Sequence, residues 1–127
     1  GIVARRVGTT QWLVRARIAA DGTVKLNILR GDSVSVGAAV VPTGLTISAG
    51  QTYRFEVDTK TTTTTAISAK IWNAADTEPT AWQIERSDAT AALQGAGSAG
   101  VYGYLPSATA NVPAALTFDD LQIATAP

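Results

Sequence analysis

The sequence predicts an all-β fold, a sandwich or barrel. Turn signals recur about every eight to twelve residues, the spacing of a sandwich or barrel. The segments between them alternate apolar and polar residues with the period of two that marks a strand with one buried face, and no stretch keeps a helical period long enough to compete. At 127 residues and 46% hydrophobic content the chain has material for one sizeable core, so residues 1–127 are read as a single domain.

Gly1 to Val7 is the first strand, followed by a turn at Gly8 to Thr10. Gln11 to Ala20 alternates cleanly, with Trp12, Val14, Ala16 and Ile18 on one face and Leu13, Arg15 and Arg17 on the other. Asp21-Gly22 signals a hairpin with a type I′ turn, and Thr23 to Arg30 returns with Val24, Leu26 and Ile28 inward. Gly31-Asp32 turns into a third strand over Ser33 to Val41, and Pro42 to Gly50 is a connection carrying the apolar pair Leu45 and Ile47. In Gln51 to Asp58, Tyr53, Phe55 and Val57 oppose Arg54, Glu56 and Asp58. Five threonines, Thr61 to Thr65, read as a solvated turn or strand edge.

Ile67, Ala69 and Ile71 then alternate with Ser68, Lys70 and Trp72, which places Trp72 on the face away from the isoleucines. Asn73 to Thr80 is a polar loop in which Pro79 holds Glu78 extended, and Trp82 to Arg86 is the next strand, so Trp72 and Trp82 come near one another in a hairpin. Ala89 to Gly100 is a small-residue loop with room for a short helical turn at Ala91 and Leu93. Val101 to Leu105 is a strand, Pro106 to Pro113 a loop, and Ala115 to Ala124 the closing strand. In that last strand Leu116 and Phe118 share one phase and Leu121 and Ile123 the other, which implies a β-bulge at Asp119-Asp120 or burial of both faces.

Composition excludes several chemistries. With no cysteine there is no thiol nucleophile, disulfide or zinc-thiolate site, and with no histidine there is no Ser-His dyad and no imidazole ligand. Ten basic and ten acidic residues are scattered along the chain, so no basic run points to nucleic acid or to an anionic membrane. No apolar run reaches the length of a membrane span, and no signal-peptide pattern stands at the start.

Gly44–Phe55 (GLTISAGQTYRF), Ala69–Ile84 (AKIWNAADTEPTAWQI), Ser87-Asp88, Gly97–Tyr104 (GSAGVYGY) and Leu116–Ile123 (LTFDDLQI) together resemble the concanavalin A-like lectin/glucanase superfamily. Within it they are most similar to the LamG-like modules of actinobacterial secreted proteins and of the minor tail proteins of their phages. The likeness covers most of the chain. It implies a jelly-roll sandwich of two antiparallel sheets in an extracellular or virion-surface setting, and partners that are glycans, cell-surface polymers or other protein subunits. Modules of this type carry more strands ahead of a segment like Gly1 to Arg5, so the resemblance also implies that such strands are missing here.

Superfamily glucanases use two glutamates flanking an aspartate on one strand. Here Glu56-Val57-Asp58 supplies the first half, but Lys60 and Thr61 follow, so the second acid is lacking and no enzyme is expected. No cofactor is implied, with one candidate metal: jelly rolls often tie a terminal-strand aspartate to calcium, and Asp119 or Asp120 would be the donor. The alternative is a bulge aspartate that caps backbone N–H groups. For carbohydrate, Trp72, Trp82, Tyr102 and Tyr104 are candidate platforms, with Lys70 and Asn73 beside Trp72. Set against this is a simpler role in which the indoles pack the hairpin. The expected function is therefore a non-catalytic surface module for glycan attachment or subunit packing, or else a purely structural jelly roll that pairs with neighbouring chains and binds no sugar.

Overall fold

A computed structural model describes residues 1–110 and 113–125. Its strands are β1 (Ile2–Val7), β2 (Thr10–Ile18), β3 (Val24–Arg30), β4 (Val34–Ser35), β5 (Tyr53–Thr61), β6 (Thr65–Asn73), β7 (Ile84–Asp88) and β8 (Ser98–Val101), with a 3-10 turn at Ala91–Leu93. They form two antiparallel sheets, ordered β4-β3-β2-β1-β8 and β5-β6-β7. The fold is the all-β sandwich that the period-two segments predict.

Alternation decides what is buried. The register of β2 on β3 sets Val14 opposite Ile28 and Ala16 opposite Leu26, so the apolar phases of both strands share one face. Ile67, Ala69, Ile71 and Ile84 from the second sheet pack onto Trp12, Val14, Leu26 and Ile28 of the first. Leu45 and Ile47 from the long connection and Leu93 from the 3-10 turn join the same core.

The β2-β3 hairpin forms where Asp21-Gly22 predicts it, with a different turn. Gly22 alone has a positive φ, 83°, and its N–H donates to Ala19 O while Ala19 N–H donates to Thr23 O. A turn over Ala19 to Gly22 with glycine in the left-handed position therefore replaces type I′. The exchange admits a neighbour: Ile47 N–H donates to Gly22 O at 2.9 Å, and a Cβ on Gly22 would stand 2.5 Å from Ile47 O.

The expected strand over Ser33 to Val41 is reduced to Val34–Ser35 and a single bridge from Val40 to Leu26. Between them Gly37, at φ 79°, turns the chain, and Arg86 reaches across it to donate to Ala38 O at 2.6 Å. The expected strand at Trp82 starts later, at Ile84, and the one at Val101 ends there, having begun at Ser98. The threonine run is the tip of the β5-β6 hairpin, with Thr65 fully buried. Pro106 does begin a turn, Thr109 N–H donating to Pro106 O; residues 111 and 112 of that expected loop lie outside the described ones.

The closing strand over Ala115 to Ala124 is not formed. That stretch joins neither sheet, and Leu116, Phe118, Leu121 and Ile123 are 49–68% exposed. Asp120 has φ 50°, so the phase break ends the extended backbone instead of bulging it.

One end of the sandwich is tied shut by polar contacts over Trp12. The fully buried indole has the Arg5 guanidinium 5.3 Å from its centroid, and Arg5 donates onward to Leu93 O and Thr61 Oγ1. Arg30, opposite Trp12 in the register, crosses to the second sheet and donates to Asp88 Oδ2 at 3.2 Å and Thr90 Oγ1 at 2.8 Å. Asp88 also accepts from Thr90 N–H at 2.7 Å. Gln94 closes the ring, donating to Asp88 O and Thr90 O and accepting from Thr65 Oγ1.

Burial pushes the Asp88 carboxyl up, but the Thr90 hydroxyl and N–H, the Arg30 charge and the nearby Trp12 indole outweigh it, so it lies below its ordinary value of 3.8. A depressed folded value means that the stabilisation is complete above the ordinary carboxylate range and lost as pH falls through the lower folded value. Urea midpoints should therefore drop below pH 4 in the native chain. Asp88→Asn should flatten that slope and cost about 1–2 kcal/mol at neutral pH, since half-exposed Arg30 is partly resolvated.

Candidate functional site: the caged lysine on the outer face of the second sheet

The period-two phase of β5 and β6 turns Arg54, Glu56, Asp58, Ser68, Lys70 and Trp72 away from the core, on the outer face of the three-stranded sheet. The register pairs Glu56 directly with Lys70 and Arg54 with Trp72. The segment from Asn73 to Gln83 then folds back over this face. Asn73 starts it as a turn, its Oδ1 accepting from Ala75 N–H and its carbonyl from Asp76 N–H.

The fold-back puts Lys70 in a cage. Its Nζ lies 5.6 Å from the Trp72 ring centroid and 4.9 Å from that of Trp82, inside cation–π range. It donates to Glu78 and to Pro79 O at 3.2 Å, and forms an ion pair with Glu56 at 3.2 Å. An ammonium has three N–H donors; hydrogen bonds to Glu78 and Pro79 O engage two, and Glu56 adds its charge. Lys70 is 7% exposed and Trp72 8%.

The electrostatics follow from the contacts. The Glu78 hydrogen bond, reinforced by Glu56, raises Lys70 above its ordinary 10.5 against the opposing pull of burial. The Lys70 hydrogen bond holds Glu78 below its ordinary 4.5. The cage is thus charged throughout the neutral range. It loosens only as pH falls through the lowered Glu78 value or rises through the raised Lys70 value.

A second device anchors the returning chain. Gln83 N–H donates to Ala69 O, and its side-chain amide accepts from Ile71 N–H at 2.8 Å and donates to Ile71 O at 2.9 Å. One amide side chain thereby stands in for a strand residue beside β6, before β7 begins at Ile84. Gln83 carries no distinguishing sequence signal. Glu78 does, since it precedes the proline that fixes the loop.

Of the candidate platform residues, the structure brings together Lys70, Trp72 and Trp82, with Asn73 at the loop entry. Tyr102 and Tyr104 follow β8 in the other sheet; Tyr102 N–H donates to Gly1 O, and Tyr104 is 68% exposed. Asp119 and Asp120 are exposed, and among the described residues no group of three potential metal-ligating side chains forms around them. Glu56 and Asp58 are both on the outer face, Glu56 held by Lys70 and Asp58 3.6 Å from Lys60 Nζ. Comparison of the chain with family models, curated proteins and solved structures finds no match.

Gln83→Leu should strand both polar groups of Ile71 beside β6 and destabilise the chain by about 2–3 kcal/mol, read as a lower urea midpoint. In Lys70→Met, an NMR titration should find the Glu78 carboxyl moved up toward its ordinary range.

Proposed function

We propose that the chain is a non-catalytic packing module, a β-sandwich that completes itself by accepting an extended polypeptide segment from a neighbouring chain. The observation that carries this reading is the unequal width of the two sheets. β7 lies across from β3 and β5 from β1, but the first sheet continues beyond β1 to β8 while the second stops at β5.

The bonding phase of β5 supports it. Ala74 N–H donates to Thr52 O and Thr62 N–H to Thr64 O, so the residue pairs that exchange hydrogen bonds are those with even numbers in β5. Ile71 agrees, since its backbone groups point to Gln83 on the opposite side. Tyr53, Phe55, Val57 and Thr59 therefore direct their N–H and C=O groups to the open edge and their side chains inward. Edges of this kind add strands from partner chains.

Beside that edge an open trough of about 2620 Å³ runs between Ile2, Ala16, Tyr53, Phe55 and Val57 of the sandwich and Leu116, Phe118 and Ile123 of the C-terminal stretch. A small-ligand site occupies roughly 300–1,000 Å³, so the dimensions suit a length of chain with apolar residues at alternate positions. The buried, ion-paired Lys70 and the covered Trp72 favour this packing role over glycan attachment through the outer face. An extracellular or virion-surface assembly is the setting that the LamG-like resemblance implies.

The test uses a synthetic peptide of residues 113–125 as the probe strand, since its Leu116 and Phe118 have the required alternation. Added to the protein, it should slow amide exchange at Tyr53, Phe55, Val57 and Thr59. Val57→Pro, which removes an edge-directed N–H and no ladder bond, should abolish that protection and leave the fold intact. Unchanged exchange at these four amides on adding excess peptide would overturn the reading.

A further inference from the structure

The positive charges that are scattered in the sequence gather on one surface when the first sheet forms. In β2 the outward phase carries Gln11, Leu13, Arg15 and Arg17, because Trp12, Val14 and Ala16 fill the core. The register sets Lys25 directly opposite Arg17 and Asn27 opposite Arg15, and Arg6 of β1 opposite Gln11. Arg6, Arg15, Arg17 and Lys25 therefore share the outer face, in a row that follows β2 for roughly 20 Å at about 3.4 Å per residue.

None of the four is in an ion pair among the described residues, where the pairs are Arg30–Asp88, Lys60–Asp58, Lys70–Glu56 and Lys70–Glu78. Of the acids nearest in sequence, Asp21 Oδ1 accepts from Thr23 N–H, and Asp32 Oδ1 accepts from Gln11 Nε2, which sets one carboxylate at the Arg6 end of the row and leaves Arg15, Arg17 and Lys25 without one. Like charges directly opposite on a sheet destabilise it, so the Arg17/Lys25 pair costs the isolated chain stability that a bound anion would restore. Arg6, Arg17 and Lys25 are exposed, while the leucines between them, Leu13 and Leu29, are fully covered.

We infer that this face is a second contact surface, complementary to a carboxylate-bearing polypeptide. Carboxylates match the forked donors of arginine. The row holds no aromatic ring on which a nucleobase or a sugar could stack, which sets a polypeptide ahead of nucleic acid or glycan. Arg15, Arg17 and Lys25 also line the trough beside β5, so the two contacts adjoin, and they differ in what they recognise: the backbone of an added strand at β5, carboxylates at this row.

The experiment titrates the protein with poly-L-glutamate, and in parallel with single-stranded DNA and neutral dextran, at low and at physiological salt. Expected are binding to poly-L-glutamate that weakens as salt rises, a loss of at least tenfold in Arg17→Ser/Lys25→Ser, and no change in Lys60→Ser, which lies on the other sheet. Circular dichroism of the double variant checks the fold; Arg6→Ser, at the far end of the row, serves as a second variant and should weaken binding severalfold. No binding to poly-L-glutamate, equal or tighter binding of DNA, or full retention of binding in both row variants would overturn the inference. The peptide protection at β5 should persist in Arg17→Ser/Lys25→Ser, which keeps the two surfaces distinguishable.

Discussion

The fold hangs on the burial of Trp12 between two sheets of unequal width. An indole is the largest apolar body the chain can place at one position, and here it is fully buried, packed in the core with charged groups from both sheets closing over it. Arg5 covers one side, and Arg30 reaches across to Asp88, the last residue of β7. The ring through Thr90, Gln94, Thr65 and Thr61 then satisfies polar groups that burial would otherwise leave costly. A chain without cysteine has no covalent tie between its sheets, and this hydrogen-bonded end does that work.

The outer face of the second sheet solves a different problem. A lysine in the middle of β6 has to be desolvated once the Asn73 to Gln83 segment folds over it. Two indoles and two glutamates around one ammonium recover that cost locally. The consequence for function is direct. Trp72 and Lys70 look like a recognition platform in one dimension, yet their interaction capacity is spent on each other and on Glu56, Glu78 and Pro79.

The opposite edge of the sandwich contrasts with both. There the apolar residues of β5 face a trough, and the half-exposed apolar residues of the C-terminal stretch line its other side without joining either sheet. A closed end braced by the Arg30–Asp88 salt bridge and a wide open edge within one small domain give the asymmetry behind the packing role.

The strands, their inward faces and the hairpin at Asp21-Gly22 were legible in the sequence, because alternation is a local property that any packed sheet must obey. The outward phase of Trp72 and its approach to Trp82 could be read for the same reason. The turn type at Gly22, the shortening of the third strand and the unformed strand at Leu116 to Ile123 could not. Each depends on a partner distant in sequence: Ile47 for the first, Arg86 for the second, a ladder neighbour for the third. Charge followed the same division. Composition alone established a balanced chain of ten positive and ten negative residues. Strand register decided that Lys70 would be neutralised in a cage while Arg17 and Lys25 were left side by side, because proximity across a sheet is set by pairing and not by sequence distance.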